Sequence, residues 1–474
     1  MRIRYLLLFM LLLSASPALA TDTVSAPQNP PLNTTFGIVE AYYRPEEAAE
    51  LGVSWERVIF AWNYFQPDGP EDFDTDAVPE QYLQDAYLAN RQIVGLIKGT
   101  PHWASPSGSV GAVPDGITLP YDHSDNIFGA FVQRLVGYYS PRGIHNWIIL
   151  NEPDVRAPEE GNVVEFQGEV EDYFAVLKTA YMAIKAVDET AHVQIAGMAW
   201  WGDHAKGRTP YLERLLHIIQ QDPEADANNW YFDGVTTHLY FTTANVWTVI
   251  MENRAILERF GQGKKSIWVG EFNASPRRDP EGGINAPFEI TLEQQADYIV
   301  QASALALAAG VERLAVYRLY DDNFTPGQTE PWGLVRYDGT LRPAFYAYQS
   351  VIQRFAGAKS VRRFTIPEAT MITFTFPDKT LYVMWNNTDQ PGEFLLNAGS
   401  RTEPVMVMEA TGQGHEQVLE KQMGTSIAVI DAPGAERIDA PWIVVAGAVR
   451  VVELEGGLRT VWFRTHDGRV GQFN

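Results

Sequence analysis

Trp147-Ile148-Ile149-Leu150 is a continuous apolar run, and Asn151-Glu152-Pro153 follows it directly. A short run with no polar alternation reads as a strand covered on both faces, as in parallel sheets flanked by helices. A carboxylate set immediately after such a strand stands at its C-terminal end. In a closed barrel of parallel strands all C-terminal ends open on one face, where active sites are built.

Seven more runs of this kind flank it: Phe36–Ala41, Val58–Trp62, Ile93–Ile97, Val193–Met198, Gly234–Tyr240, Ser266–Glu271 and Leu314–Tyr317. Helical patterns fill the gaps, expected over Asp172–Val187, Val249–Phe260 and Ala344–Phe355. Another opens at Thr291, whose hydroxyl can cap the first turn while Gln294 completes a capping box. Ile299, Ala302, Leu305, Ala306 and Ala309 then share one face, and Gly310 ends the pattern. Eight strand–helix units predict an α/β fold, a (β/α)₈ TIM barrel over residues 34–357.

Beyond Gly357 the helical periodicity stops. Thr373–Phe376, Leu381–Trp385 and Trp442–Val445 read as strands, with turn signals at Pro391-Gly392 and Pro433-Gly434. An antiparallel β-sandwich is expected over 358–474. Thr460–Phe473, with Asp467-Gly468 at its centre, is expected to form a terminal hairpin. At the other end, Arg2 and Arg4 precede the apolar run Tyr5–Leu13 and the small-residue site Ala18-Leu19-Ala20. Residues 1–20 therefore read as a signal peptide and 21–33, with Pro27, Pro30 and Pro31, as a linker. The expected location is secreted or extracytoplasmic. No later run is long enough for a membrane span.

The 474 residues carry a formal charge of −23, which disfavours a nucleic-acid partner. No cysteine is present, so disulfides and thiolate metal sites are excluded. There is no Gly-x-Ser-x-Gly elbow, no phosphate-loop glycine pattern around Gly261–Ser266, and no His-Glu-x-x-His. No cofactor or metal is expected. Asn33, Asn273 and Asn386 begin glycosylation-type triplets.

Glu152 after the fourth expected strand and Glu271 at the end of the seventh can face one another across the barrel mouth. Two carboxyl groups about 5 to 5.5 Å apart suit double displacement at a glycosidic bond. One must keep a proton for the leaving oxygen while the other stays ionised. Tyr42, Trp62, Trp103, Trp200, Trp201, Tyr317, Tyr320 and Trp332 crowd the same expected face, and about half are expected to line a cleft. Such rings can stack on the C–H faces of sugars. The expected partner is a carbohydrate, a polysaccharide or oligosaccharide.

Asn151-Glu152-Pro153 and Trp268-Val269-Gly270-Glu271-Phe272 resemble motifs of the glycoside hydrolase clan whose barrels carry catalytic glutamates on strands four and seven. Thr100-Pro101-His102-Trp103-Ala104 and Trp332-Gly333-Leu334-Val335 look most like families 39 and 5. The resemblance implies a retaining glycosidase with Glu152 as acid/base, Glu271 as nucleophile and Asn151 on the sugar 2-hydroxyl. It gives Tyr240 or His238, on strand six, a hydrogen bond to the nucleophile, and Arg57, on strand two, a steadying role. Trp62, His102, Trp103, Trp200, Tyr317 and Trp332 are the expected substrate-binding residues. The clan often has a tryptophan on strand eight, where Tyr317 and Tyr320 stand here. A transglycosylase, and a non-catalytic carbohydrate-binding or scaffold protein on the same barrel, are the alternatives.

Overall fold

The computed structural model describes residues 34–156, 164–240, 242–276, 279, 290–321, 331–422, 425–435 and 445–473. The expected signal peptide and linker lie outside these residues, as does most of the strand expected at Trp442–Val445. Eight parallel strands close a barrel: β1 Phe36–Val39, β2 Trp55–Ala61, β3 Gln92–Lys98, β4 Asn146–Asn151, β5 His192–Met198, β6 Gly234–Tyr240, β7 Ser266–Asn273 and β8 Arg313–Val316. β8 pairs back onto β1, with Phe36 opposite Leu314 and Ile38 opposite Val316. All eight expected strands are present.

The barrel is filled from its base. Val39, Trp55, Val94, Leu96, Ile148, Trp268 and Ala315 pack into one interior cluster, with Ile59 and Tyr317 against it. Trp55 and Trp268 lie 6.0 Å apart between ring centroids. A Cβ at Gly37 would stand 2.2 Å from the Trp55 ring, so only glycine leaves room for that indole. In β2 the period of two that turns Trp55 inward also turns Arg57 inward, one layer nearer the mouth.

The helices cover the outer face. The capping box is formed as expected: Gln294 N–H donates to Thr291 Oγ1 (3.1 Å), and Thr291 N–H donates to Gln294 Oε1 (2.8 Å). The helix expected from Val249 begins earlier and spans Thr243–Arg259, because Val246, Val249, Ile250 and Leu257 form one buried face.

The C-terminal region forms two antiparallel sheets. One runs in the order Gly414–Gln417, Val405–Met408, Arg450–Glu455, Lys379–Asn386, Ala369–Thr375, Ser360–Ile366. The other runs Glu420–Gln422, Thr425–Ala432, Gly392–Asn397, Thr460–Thr465, Val470–Phe473. Its last two strands are the expected hairpin. The first sheet packs on the barrel helices: Phe374 stacks on Phe355 with centroids 4.1 Å apart, and Val449 N–H donates to buried Asp297 (2.9 Å). Among the described residues, no helix is long and apolar enough to cross a membrane.

Candidate active site

β-Bulges on β5 and β7 shift the pairing of these strands with their neighbours toward the barrel mouth. They interrupt the register between Gln194 and Gly197, Thr237 and His238, and Val269 and Phe272. The last one decides the site. Trp268 points into the barrel, and strict alternation would send Glu271, three residues on, to the outer face. The extra residue re-aims it inward and sets it directly opposite His238.

Glu271 is buried and triply held. Arg57 Nη2 lies 2.5 Å from its Oε1, and the Tyr240 hydroxyl donates to its Oε2. His238 Nδ1 lies 3.5 Å from the same Oε2. Burial alone would push this carboxyl up. Arg57, His238 and the Tyr240 hydrogen bond outweigh it and hold the carboxyl below its usual range. The group is thereby kept ionised.

Glu152 has a different setting. Its side chain is 24 % exposed against 7 % for Glu271, and among the described residues His238 is its one ion-pair partner. His238 Nδ1 donates to its Oε1 at 2.7 Å. Burial lowers the His238 pKa, but Glu271 and Glu152 raise it further, so the net direction is up. A Cβ at residue 197 would stand 1.9 Å from His238 Nε2, so Gly197 is what lets the ring lie against β5. Leu150 (φ 64°) and Glu152 (φ 41°) both take left-handed backbone, rare for such residues and concentrated at functional sites. Glu152 N–H donates to Gly197 O (2.8 Å), which anchors the turn. An oxygen of Glu152 and an oxygen of Glu271 lie within 4.8 Å of one another.

Asn151 adds an open valence. Its side-chain Oδ1 is buried and has no hydrogen-bond partner, so a donor from a bound molecule would satisfy it. Glu152, His238 and Glu271 are of metal-ligating types and lie close together. The nearby guanidinium and the hydroxyl and imidazole donors already occupy the carboxylate oxygens facing inward, an arrangement suited to holding carboxylates rather than a cation.

The aromatic residues divide. Tyr317 and Trp332 join Tyr240 in one cluster, with centroids 6.3 Å (Tyr240–Tyr317), 5.1 Å (Tyr240–Trp332) and 6.1 Å (Tyr317–Trp332) apart. They wall the Glu271 side. Trp103 is half-buried, its indole N–H on Gln66 O (2.8 Å), and His102 is exposed beside it on the loop after β3. Neither bonds Glu152 or Glu271. Trp200 is nearly buried, donates to Glu252 Oε2 (2.5 Å) and stacks on His204. It closes a cavity of about 70 Å³ beside β5 and β6.

Trp62 is a correction. β2 ends at Ala61, and the chain turns into the short helix Trp62–Phe65, which swings the indole outside the barrel. There it is 1 % exposed and stacked on Phe131, so it has no face left for a ligand. Asn273 and Asn386 are fully buried, which rules out glycan attachment to the folded chain at either.

Other contributors went unread in the sequence. Glu40, in left-handed backbone after β1, pairs with buried Arg318 (2.9 Å), placing a second ion pair next to Arg57–Glu271. Asp154 accepts the N–H groups of Ala199 (3.0 Å) and Trp200 (2.7 Å), tying the loop after β4 to that after β5. Burial pushes its carboxyl up to about 6 despite those bonds. Asn273 donates to Tyr317 O (2.6 Å) and Trp332 O (2.7 Å), fastening the aromatic wall to the end of β7. An asparagine two residues past a strand-end glutamate was the only available signal.

The fold, a closed parallel barrel followed by two antiparallel sheets, is shared with solved structures of glycoside hydrolases. The chain shares this fold with a family 39 glycoside hydrolase from the gut symbiont Bacteroides cellulosilyticus WH2: TM-score 0.65, 16% identity, 90% of this chain and 83% of that one. It shares it also with a monomeric beta-xylosidase from Caulobacter crescentus CB15: TM-score 0.56, 14% identity, 91% and 97% coverage. A family 30 subfamily 8 xylanase from Clostridium acetobutylicum gives TM-score 0.56, 11% identity, 91% and 98% coverage. No family model matches the sequence, and no curated protein does.

Proposed function

We propose that the chain is an exported retaining glycosidase that cleaves β-linked oligo- or polysaccharides by double displacement. The observation that carries this reading is the pair Glu152–Glu271, whose nearest oxygens lie within 4.8 Å and whose surroundings differ. Retaining enzymes place these groups about 5 to 5.5 Å apart, and inverting enzymes about 6.5 to 9.5 Å, to admit a water. The β-xylosidase and the xylanase that share the fold support a β-linked substrate.

Glu271, kept ionised by Arg57 and Tyr240, attacks the anomeric carbon. The glycosidic C–O bond breaks as Glu152 gives its proton to the leaving oxygen. Glu152, now a carboxylate, takes a proton from water. That water attacks the anomeric carbon and releases Glu271. His238, bonded to Glu152 and close to Glu271, keeps the two carboxyls in register. The unpartnered Asn151 Oδ1 accepts from the sugar 2-hydroxyl. Export rests on the N-terminal Arg2–Ala20 pattern.

The test is a panel of aryl β-glycosides, with ¹H NMR of the first sugar released. The β anomer is expected. Release of the α anomer, or inertness toward the whole panel and toward β-linked polysaccharides, would overturn the reading.

A further inference from the structure

Tyr43 and Tyr337 are 41 % and 53 % exposed, and they belong to one ordered group. Tyr320 stands between them, with centroids 6.4 Å from Tyr43 and 6.2 Å from Tyr337. The Tyr320 and Tyr337 planes are within 24° of parallel. The Tyr320 hydroxyl donates to Tyr337 O (3.1 Å), and the Arg44 guanidinium lies 4.5 Å over the Tyr320 ring. The rings are therefore held in place while Tyr43 and Tyr337 keep surface open to solvent. Tyr64, 64 % exposed, stands in the short helix after β2.

The position of this strip in the barrel gives it meaning. Tyr43 follows the end of β1 and Tyr320 follows the end of β8, strands that neighbour each other. Leu319 N–H donates to Val39 O (3.2 Å), binding the two strand ends together. β8 in turn adjoins β7, which carries Glu271. Tyr317, three residues before Tyr320, belongs to the aromatic wall at the nucleophile. The strip thus runs outward from the Glu271 side, away from β4 and Glu152.

We infer that this tyrosine strip is a binding track for sugars on the non-reducing side of the cleaved bond, so that chains with several sugars there are the preferred substrates. The inference rests on the roles proposed above for the two glutamates. Glu152 protonates the leaving oxygen, so the leaving portion extends over β4 and β5. Glu271 attacks the anomeric carbon from β7, so the rest of the chain continues over β8 and β1. Tyrosine suits that occupant better than an aliphatic patch would: its face stacks on sugar C–H groups and its hydroxyl serves sugar hydroxyls. Exposed rings that are already ordered also lose little side-chain freedom on binding.

The intact protein is assayed with 4-nitrophenyl β-xylosides and β-glucosides carrying one, two or three sugars. For the wild type, kcat/KM is expected to rise at least about tenfold from one sugar to three, as aromatic contacts are each worth about 2- to 10-fold. In Tyr43→Ala/Tyr337→Ala the three-to-one ratio is expected to fall at least about fivefold. A wild-type ratio near one, or an unchanged ratio in the double variant, would overturn the track. Inertness toward every aryl glycoside would count against the active-site reading instead. Titration of both proteins with xylohexaose and cellohexaose, followed by NMR, would then decide the track: weaker binding by the double variant supports it, and equal or absent binding rejects it.

Discussion

Arg57 Nη2 lies 2.5 Å from Glu271 Oε1, with both side chains buried in the barrel mouth. The arginine stands on the third residue of β2, and its side chain reaches Glu271 near the end of β7. Burial works against an ionised Glu271, and Arg57 is the chief force opposing it.

Replacing Arg57 by Met should therefore move the acid limb of the kcat/KM profile to higher pH. The Glu271 pKa is held low in the native protein, so the nucleophile is lost only as pH falls through that lowered value. Without the cation, burial prevails and the loss begins at higher pH. The drop in kcat/KM should therefore be larger at pH 5 than at pH 7. A pH–rate profile with an unmoved acid limb would show that Arg57 does not set the charge of Glu271.

Tyr240→Phe removes one donor to the same carboxylate and preserves the ring packing against Trp332. Hydrogen bonds to charged groups are worth about 1.5–3 kcal/mol, so kcat/KM should fall about 10- to 150-fold with little change in Tm. Steady-state kinetics and a melting curve check this together.

Trp62 and Trp332 make a contrasting pair. Trp62→Ala empties a packed site under the helices and should cost about 3–5 kcal/mol of stability, a large drop in Tm. Trp332→Ala, at the half-exposed wall beside Tyr240, should spare Tm and raise KM. Equal effects of the two on stability would contradict the division drawn between core and cleft aromatics.

Asp297 links the barrel helix Leu292–Ala308 to the sandwich through Val449, and burial pushes its carboxyl up to about 7. Below its ordinary value near 3.8 the group is neutral both folded and unfolded, and it costs nothing. As pH rises from about 3.8 to about 7, the unfolded chain gives up the proton that the buried group keeps, so stability is lost across that window and the loss is complete above about 7. Asp297→Asn keeps the acceptor and removes the charge. It should raise Tm by about 2 °C or more at pH 8 and leave it unchanged at pH 4. Melting curves at both pH values test the sign.

The barrel was legible because its strands are apolar on both faces and its helices are punctuated, as at Thr291 and Gly310. Both glutamates stood out because they end such strands, whereas Arg57 was singled out only through the resemblance to the glycoside hydrolase clan. What escaped the sequence was non-local. Alternation from Trp268 sends Glu271 outward, and only the β7 bulge turns it back. Trp62 looked like a mouth residue because nothing in Trp62-Asn63-Tyr64-Phe65 announces a helical turn one residue past the strand. Asn273 resembled a glycosylation site, and its role as a fastener emerges only when Tyr317 and Trp332 are brought beside it.

The central claim is the assignment of roles to Glu152 and Glu271, and Glu152→Ala with azide tests it most directly. On an aryl β-glycoside with a good leaving group, the glycosyl-enzyme on Glu271 should still form and then accumulate, because the base for water is gone. Azide should restore turnover and release a β-glycosyl azide, whose configuration NMR reads. An α-glycosyl azide would contradict the account, since it would make Glu152 the nucleophile or the enzyme inverting.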